Sequence, residues 1–141
     1  MAGYPLDERD LLTRARTQLP VPYRLHGQDL TGWDCLGCVK YGRRALFARP
    51  TPYGPLFYGR EDADDSERRA ALFEVGVLRW RPVERAPGAV VLFKLHGRPR
   101  HVGLMLTQRL FLHAQDEHAG TVISDLTGAW ARQTMGFYDA G

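Results

Sequence analysis

The side chains in this 141-residue chain best suited to covalent and proton-transfer chemistry are two cysteines, Cys35 and Cys38, and two histidines, His101 and His113, twelve residues apart. Cys35 follows Asp34, a residue type that caps helices, so the thiol is expected in the first turn of a helix. Free N–H groups and a partial positive charge there favour thiolate over thiol, and the same groups can receive an oxyanion. An Asp34 carboxylate facing the sulfur would oppose the first effect, and less so if it is occupied with capping. Cys38, one turn along beside Val39, reads as a small core residue.

The C-x-x-C spacing has three readings: a redox pair, half a zinc site, or one working thiol beside a packing residue. A structural zinc site needs four ligands, and there is neither a second C-x-x-C nor an H-x-x-x-H. A redox pair should follow an apolar strand, whereas HGQDLTGWD before Cys35 is loop-like. The single working thiol is favoured.

His101 opens an alternating segment, with Val102, Leu104 and Leu106 on one face and Gly103 and Met105 beside the histidine on the other. In the next segment Leu110, Leu112 and Ala114 face away from Phe111 and His113. A hairpin with its apex at Thr107 pairs Leu104 with Leu110 and Val102 with Leu112. His101 then falls opposite His113 on the non-core face, with Gly103 leaving open space beside it. Two adjacent imidazoles suit a base that takes a proton from a thiol and a partner that orients it. Two satisfied polar residues on an exposed sheet face, or part of a metal site, are the competing readings. A zinc site from His101, His113 and His118 lacks a carboxylate at a convincing ligand spacing. His26 and His96 lie in loop-like segments.

Several elements must position these groups. Leu6 to Leu19 reads as an amphipathic helix with Asp7 as cap and Pro20 and Pro22 as stops; Cys35 to about Phe47 reads as a second. Gly37 and Gly42 inside the second helix each cost about 1 kcal/mol relative to alanine, and close packing is the expected reason. The segment from Arg49 to Ser66 reads as a surface loop and Glu67 to Phe73 as a short helix. Four strands follow, Ala89–Leu95, His101–Leu106, Leu110–Gln115 and Thr121–Asp125. Helices first and strands second imply an α+β domain with an antiparallel sheet. One domain over residues 1–141 is expected.

Hydrophobic residues at 44% and charged residues at 25% are ordinary globular values. The 19 basic residues exceed the 16 acidic ones by only three, and they are spread along the chain rather than gathered in a patch, so nucleic acid is not the expected partner. No apolar run is long enough to span a membrane, and charges interrupt the first residues before a secretory signal could form. Synthesis in the cytoplasm is the expectation.

GWDCLGCV resembles the nucleophile motif of the NlpC-type cell-wall cysteine peptidases. RHVGLML resembles that family's catalytic-histidine strand, LFLHA its third-residue strand, PYRLHG its upstream aromatic motif, and VERAPGAVVLF the segment before the histidine strand. The matches run in order from about residue 20 to 115. The resemblance implies a papain-like α+β fold, the nucleophile helix packed on a C-terminal antiparallel sheet, and hydrolysis of peptidoglycan stem peptides without a cofactor. It implies Cys35 as nucleophile, His101 as base, His113 as orienting residue, Tyr23 close to the thiolate where it helps bind the oxyanion or substrate, Asp34 and Leu36 as further oxyanion- or substrate-binding residues, and no metal. The family commonly has Ser where this chain has Leu36, which leaves the exact substrate open, and an acidic residue where it has Ala89. Leu36 and the compact length are similar to members carried by tailed phages and gene-transfer agents. That likeness implies a virion-associated tail component with other tail proteins as partners; an endolysin fits the absent signal equally. A structural tail-tip protein with a vestigial site, and an amidase or acyltransferase using the same residues, are the rival readings.

Overall fold

The computed structural model describes residues 8–17, 21–24, 28–50, 80–95, 97–116 and 119–139. The surface loop and short helix expected between residues 51 and 73, and His26, His96 and His118, lie outside them. The first helix, α1 (Glu8–Thr17), buries Leu11 and Ala15, and the remaining residues of the expected span, Leu6, Asp7, Gln18 and Leu19, lie outside the described residues. Pro20 lies outside them too. A two-stranded ribbon, β1 (Gln28–Asp29) and β2 (Gly32–Trp33), leads into α2 (Cys35–Phe47).

Local chemistry sets both ends of α2. The Asp34 Oδ1 accepts a hydrogen bond from the Gly37 N–H at 2.9 Å, satisfying one of the free donors of the first turn. At the other end Ala48 takes a left-handed conformation (φ 53°, ψ 36°), with its N–H donating to the Arg44 carbonyl and that of Arg49 to the Arg43 carbonyl. Between them, Gly42 meets the sheet so closely that a Cβ there would stand 2.7 Å from Leu104 Cδ2. Close packing is therefore the reason for that glycine.

The main sheet has six antiparallel strands in the order β3-β8-β4-β5-β6-β7. They are β3 (Arg81–Pro82), β4 (Val90–Leu95), β5 (Arg98–Met105), β6 (Leu110–Asp116), β7 (Gly120–Asp125) and β8 (Thr134–Asp139), with a short helix, α3 (Gly128–Gln133), before β8. The four expected strands are present. β3 and β8 are additional, and β8 inserts between β3 and β4. Arg43, 1% exposed, fastens β8 to α2 through a 2.7 Å ion pair with Asp139, which also receives Arg81.

Both faces of the sheet are apolar. Val90, Leu92, Val102, Leu104, Leu112 and Ala114 pack under α1 and α2, whereas Val91, Phe93, Met105, Phe111 and Leu126 form a second cluster with Val83, Trp130 and Phe137. The face expected to be non-core thus has a core of its own. The space beside Gly103 is likewise filled rather than open, since a Cβ there would lie 2.8 Å from the Phe111 ring.

The β5–β6 register also differs from the expected one. Leu104 pairs with Leu112 and Met105 with Phe111. The Thr107 Oγ1 accepts from the N–H groups of Arg109 and Leu110, and the Leu106 N–H donates to the Leu110 carbonyl, which moves the apex one residue along. Moving an apex by one residue shifts the pairing by two. A two-residue shift keeps every side chain on its face, so the apolar pattern excludes a slip of one and accepts a slip of two. His101 and His113 are consequently diagonal neighbours rather than direct cross-strand partners.

Among the described residues, no helix is long and apolar enough to cross a membrane.

Candidate active site

The segment before Cys35 is tied down on both sides. Tyr23 and Trp33 form a parallel bridge, with the Trp33 N–H donating to the Pro22 carbonyl and the Arg24 N–H to the Trp33 carbonyl. The indole N–H of Trp33 donates to the Thr121 Oγ1 at 2.6 Å, and that hydroxyl donates to the Val21 carbonyl at 2.9 Å. Tyr23, twelve residues upstream in sequence, is thereby held beside the strand that delivers the thiol. Trp33 and Asp34 are almost fully buried, so the start of α2 is fixed by its surroundings.

Cys35 opens α2 and is 3% exposed. The Asp34 carboxylate accepts from Gly37, so it is occupied with capping. Leu36 is buried in the cluster beneath α2. Cys38 is fully buried; burial, then the negative charge available to Cys35 and Asp34, pushes its thiol well above the usual cysteine range, and the Ala114 backbone hydrogen-bonds its sulfur. It is a neutral packing residue at physiological pH, as the sequence suggested.

Gly42 lies over Leu104 and Leu112, and Cys38 against Ala114. Following α2 back toward Cys35 therefore leads to the end of β5 and β6 that carries His101 and His113. The sheet is open there. Among the described residues the β5–β6 ladder consists of two pairs, Leu104–Leu112 and Met105–Phe111, and does not reach the histidines.

The two imidazoles meet on the side of the sheet away from α2. His101 Nε2 lies 2.8 Å from His113 Nδ1, and His113 Nε2 lies 2.9 Å from Ser124 Oγ on β7. The pair sits in a box of rings: Phe93 stacks on His101 with centroids 5.7 Å apart, Phe111 stands 4.5 Å from His113, and Trp130 presents an edge to His113 at 4.9 Å. This apolar enclosure, followed by the neighbouring His101, pushes His113 down to about 3, so it is neutral across the physiological range. A neutral imidazole can accept a proton from one neighbour and donate to another, which suits a partner that orients a base.

Neither a family model nor a curated protein matches the sequence. Solved structures do match its fold. One is the NlpC/p60 domain of the peptidoglycan hydrolase SagA, at 16% identity and TM-score 0.59 over 95% of this chain and 99% of that one. The chain has the NlpC/p60 fold. A second NlpC/p60 structure, from Bacillus cereus, has TM-score 0.64 at 17% identity and covers 97% of this chain, which spans 41% of that protein. A third, the P60 domain of an antigen from M. avium subspecies paratuberculosis, has TM-score 0.52 at 20% identity over 93% of this chain and 91% of that one. The NlpC/p60 fold is α+β, as the helix-then-strand order implied.

Two residues at the histidine pair escaped the sequence reading, Ser124 and Trp130. Ser124 had a signal: it is the polar member of the alternation Val122–Ser124 that shares a face with His113. Trp130 had none, because its position depends on α3 returning across the sheet.

Proposed function

We propose that the protein is a cysteine peptidase that hydrolyses stem peptides of bacterial peptidoglycan. The observation that carries the reading is the hydrogen-bonded His101–His113 pair at the end of the sheet where the Cys35 helix begins. The resemblance of GWDCLGCV, RHVGLML and LFLHA to NlpC-type motifs supports it, as does the peptidoglycan hydrolase among the structures of similar fold.

In this reading the thiol meets His101 across the opening between β5 and β6. His101 turns Nε2 to His113, which leaves Nδ1 to take the Cys35 proton. The thiolate attacks the peptide carbonyl, and the N–H groups at the start of α2 receive the oxyanion, with Tyr23 beside them. The His101 imidazolium protonates the departing amine as the thioester forms. His101 then takes a proton from water, whose oxygen displaces the thiolate and releases the acid. His113 stays neutral and accepts a hydrogen bond from the imidazolium. Asp34 holds the helix start, and Leu36 shapes the floor beneath it.

The finer reading, a component of a phage-like tail that opens the wall for DNA entry, rests on the Leu36 departure from the family pattern. Its test is co-purification with tail particles. The test of the activity is mass spectrometry of the muropeptides released from purified peptidoglycan. New amino termini within stem peptides should appear with the wild type and not with Cys35→Ala. Equal release by both proteins, or none by the wild type on every stem peptide, refutes the peptidase reading; release of intact stem peptides points to an amidase.

A further inference from the structure

We propose that Ser124 is a positioning residue that sets the tautomer of His113 and thereby holds His101 ready to be protonated. The inference rests on the peptidase reading, because the proton arrangement follows from the step that protonates His101, combined with the two contacts His113 makes. When the thiol gives its proton to His101, both ring nitrogens of His101 carry hydrogen. The Nε2–H then has to donate to His113 Nδ1, 2.8 Å away. Nδ1 of His113 must therefore be the bare nitrogen, and since this ring is neutral, its one proton resides on Nε2. The hydrogen-bond partner of that N–H is the Ser124 hydroxyl, 2.9 Å away, which accepts.

The surroundings make this choice matter. His113 is fully buried, and the groups about it are His101 on β5, Val122 and Ser124 on β7, and the rings of Phe111 and Trp130. Of these, only His101 titrates. A buried N–H with no acceptor is costly, and the other tautomer avoids that cost by moving the proton to Nδ1. In that form His113 donates to His101 Nε2 and opposes its protonation. Loss of the Ser124 acceptor thus acts on the thiolate–imidazolium pair through two rings, without contact with substrate.

Two measurements on wild type, Ser124→Ala and Ser124→Thr decide it. The first is nitrogen NMR of the histidine rings, which distinguishes a protonated from a bare ring nitrogen and needs no activity. In the wild type and in Ser124→Thr, His113 should carry its proton on Nε2; in Ser124→Ala the population should move toward Nδ1. The second is the pH profile of kcat/KM. Ser124→Ala should lower the maximum about tenfold and move the alkaline limb to lower pH by about one unit, with Ser124→Thr restoring both. A wild-type His113 protonated on Nδ1, or a Ser124→Ala protein whose tautomer is unchanged, overturns the proposal. An unmoved alkaline limb in an active Ser124→Ala enzyme overturns it as well. An inert wild type with the tautomer shift intact counts against the peptidase reading and leaves the relay standing.

Discussion

Burial of His113 should make the fold acid-sensitive in a way that one substitution removes. In the native protein its imidazole is pushed down to about 3, while in the unfolded chain it titrates near its ordinary 6.5. As pH falls below 6.5 the unfolded chain takes up this proton and the native one does not, so stability declines with falling pH. The loss ends near pH 3, where the native ring also charges. At pH 5 the difference in proton binding costs about 2 kcal/mol relative to pH 8, and at pH 4 about 3.4 kcal/mol, from roughly 1.4 kcal/mol per unit. The perturbation is His113→Asn, which keeps a polar side chain and has nothing to titrate. Denaturant unfolding of both proteins at pH 8, 6, 5 and 4 gives the comparison. Asn will shift stability at every pH by a constant amount, whereas the wild type alone should show the extra acid slope. Carboxylates and the histidines away from this pair are common to both and cancel, and the asparagine amide still offers His101 a hydrogen-bond partner. Parallel stability curves for the two proteins between pH 8 and 4 would refute the assignment of a buried neutral His113.

Iodoacetamide near neutral pH should alkylate Cys35 far faster than Cys38, because burial keeps the Cys38 thiol protonated; peptide mass spectrometry showing equal labelling, or Cys38 first, sinks Cys35 as the nucleophile. In the muropeptide assay, His101→Ala should be nearly as inactive as Cys35→Ala, since nucleophile and base act as one unit. His113→Asn should keep a substantial part of the activity and His113→Ala clearly less; full activity in His101→Ala contradicts the mechanism. Gly42→Ala should lower stability by about 1–3 kcal/mol despite the better helix propensity of alanine, because its Cβ would stand 2.7 Å from Leu104. A rise in melting temperature for that variant would show that the helix–sheet contact is looser than described.

What the sequence revealed, and what it hid, divides by the range of the interactions. Helix α2 was legible to its ends, since Asp34 caps it locally and its apolar residues repeat with helical period. Strands β4 to β7 were legible by alternation and turn residues. The register of β5 on β6 was not, because the hydroxyl of Thr107 places the apex and alternation repeats every two residues. Strand β8 was hidden for a different reason: it carries Gly136 and owes its existence to pairing with β4, some forty residues earlier in the chain. The second core could not be read from alternation, which marks two faces without saying that both are covered. Cys35, His101 and His113 were proposed from residue type and spacing, whereas Ser124 and Trp130 become visible once β7 and α3 are placed against the histidines.

The placement of β8 inside the sheet has a consequence for biosynthesis. A ribosome delivers β4 first, and β5 soon covers one of its edges as a hairpin partner. The other edge waits for β8 until about forty more residues have been added, roughly 2–8 seconds at ordinary elongation rates. Throughout that interval β4 presents unpaired backbone groups flanked by Val91 and Phe93, a surface to which a second nascent chain can add a strand. Expression yield should therefore depend on how quickly the segment from Thr127 to Asp139 follows. Slow codons within it, or a chain terminated before it, would favour inclusion bodies even though every residue of the proposed Cys35, His101 and His113 site had already been made.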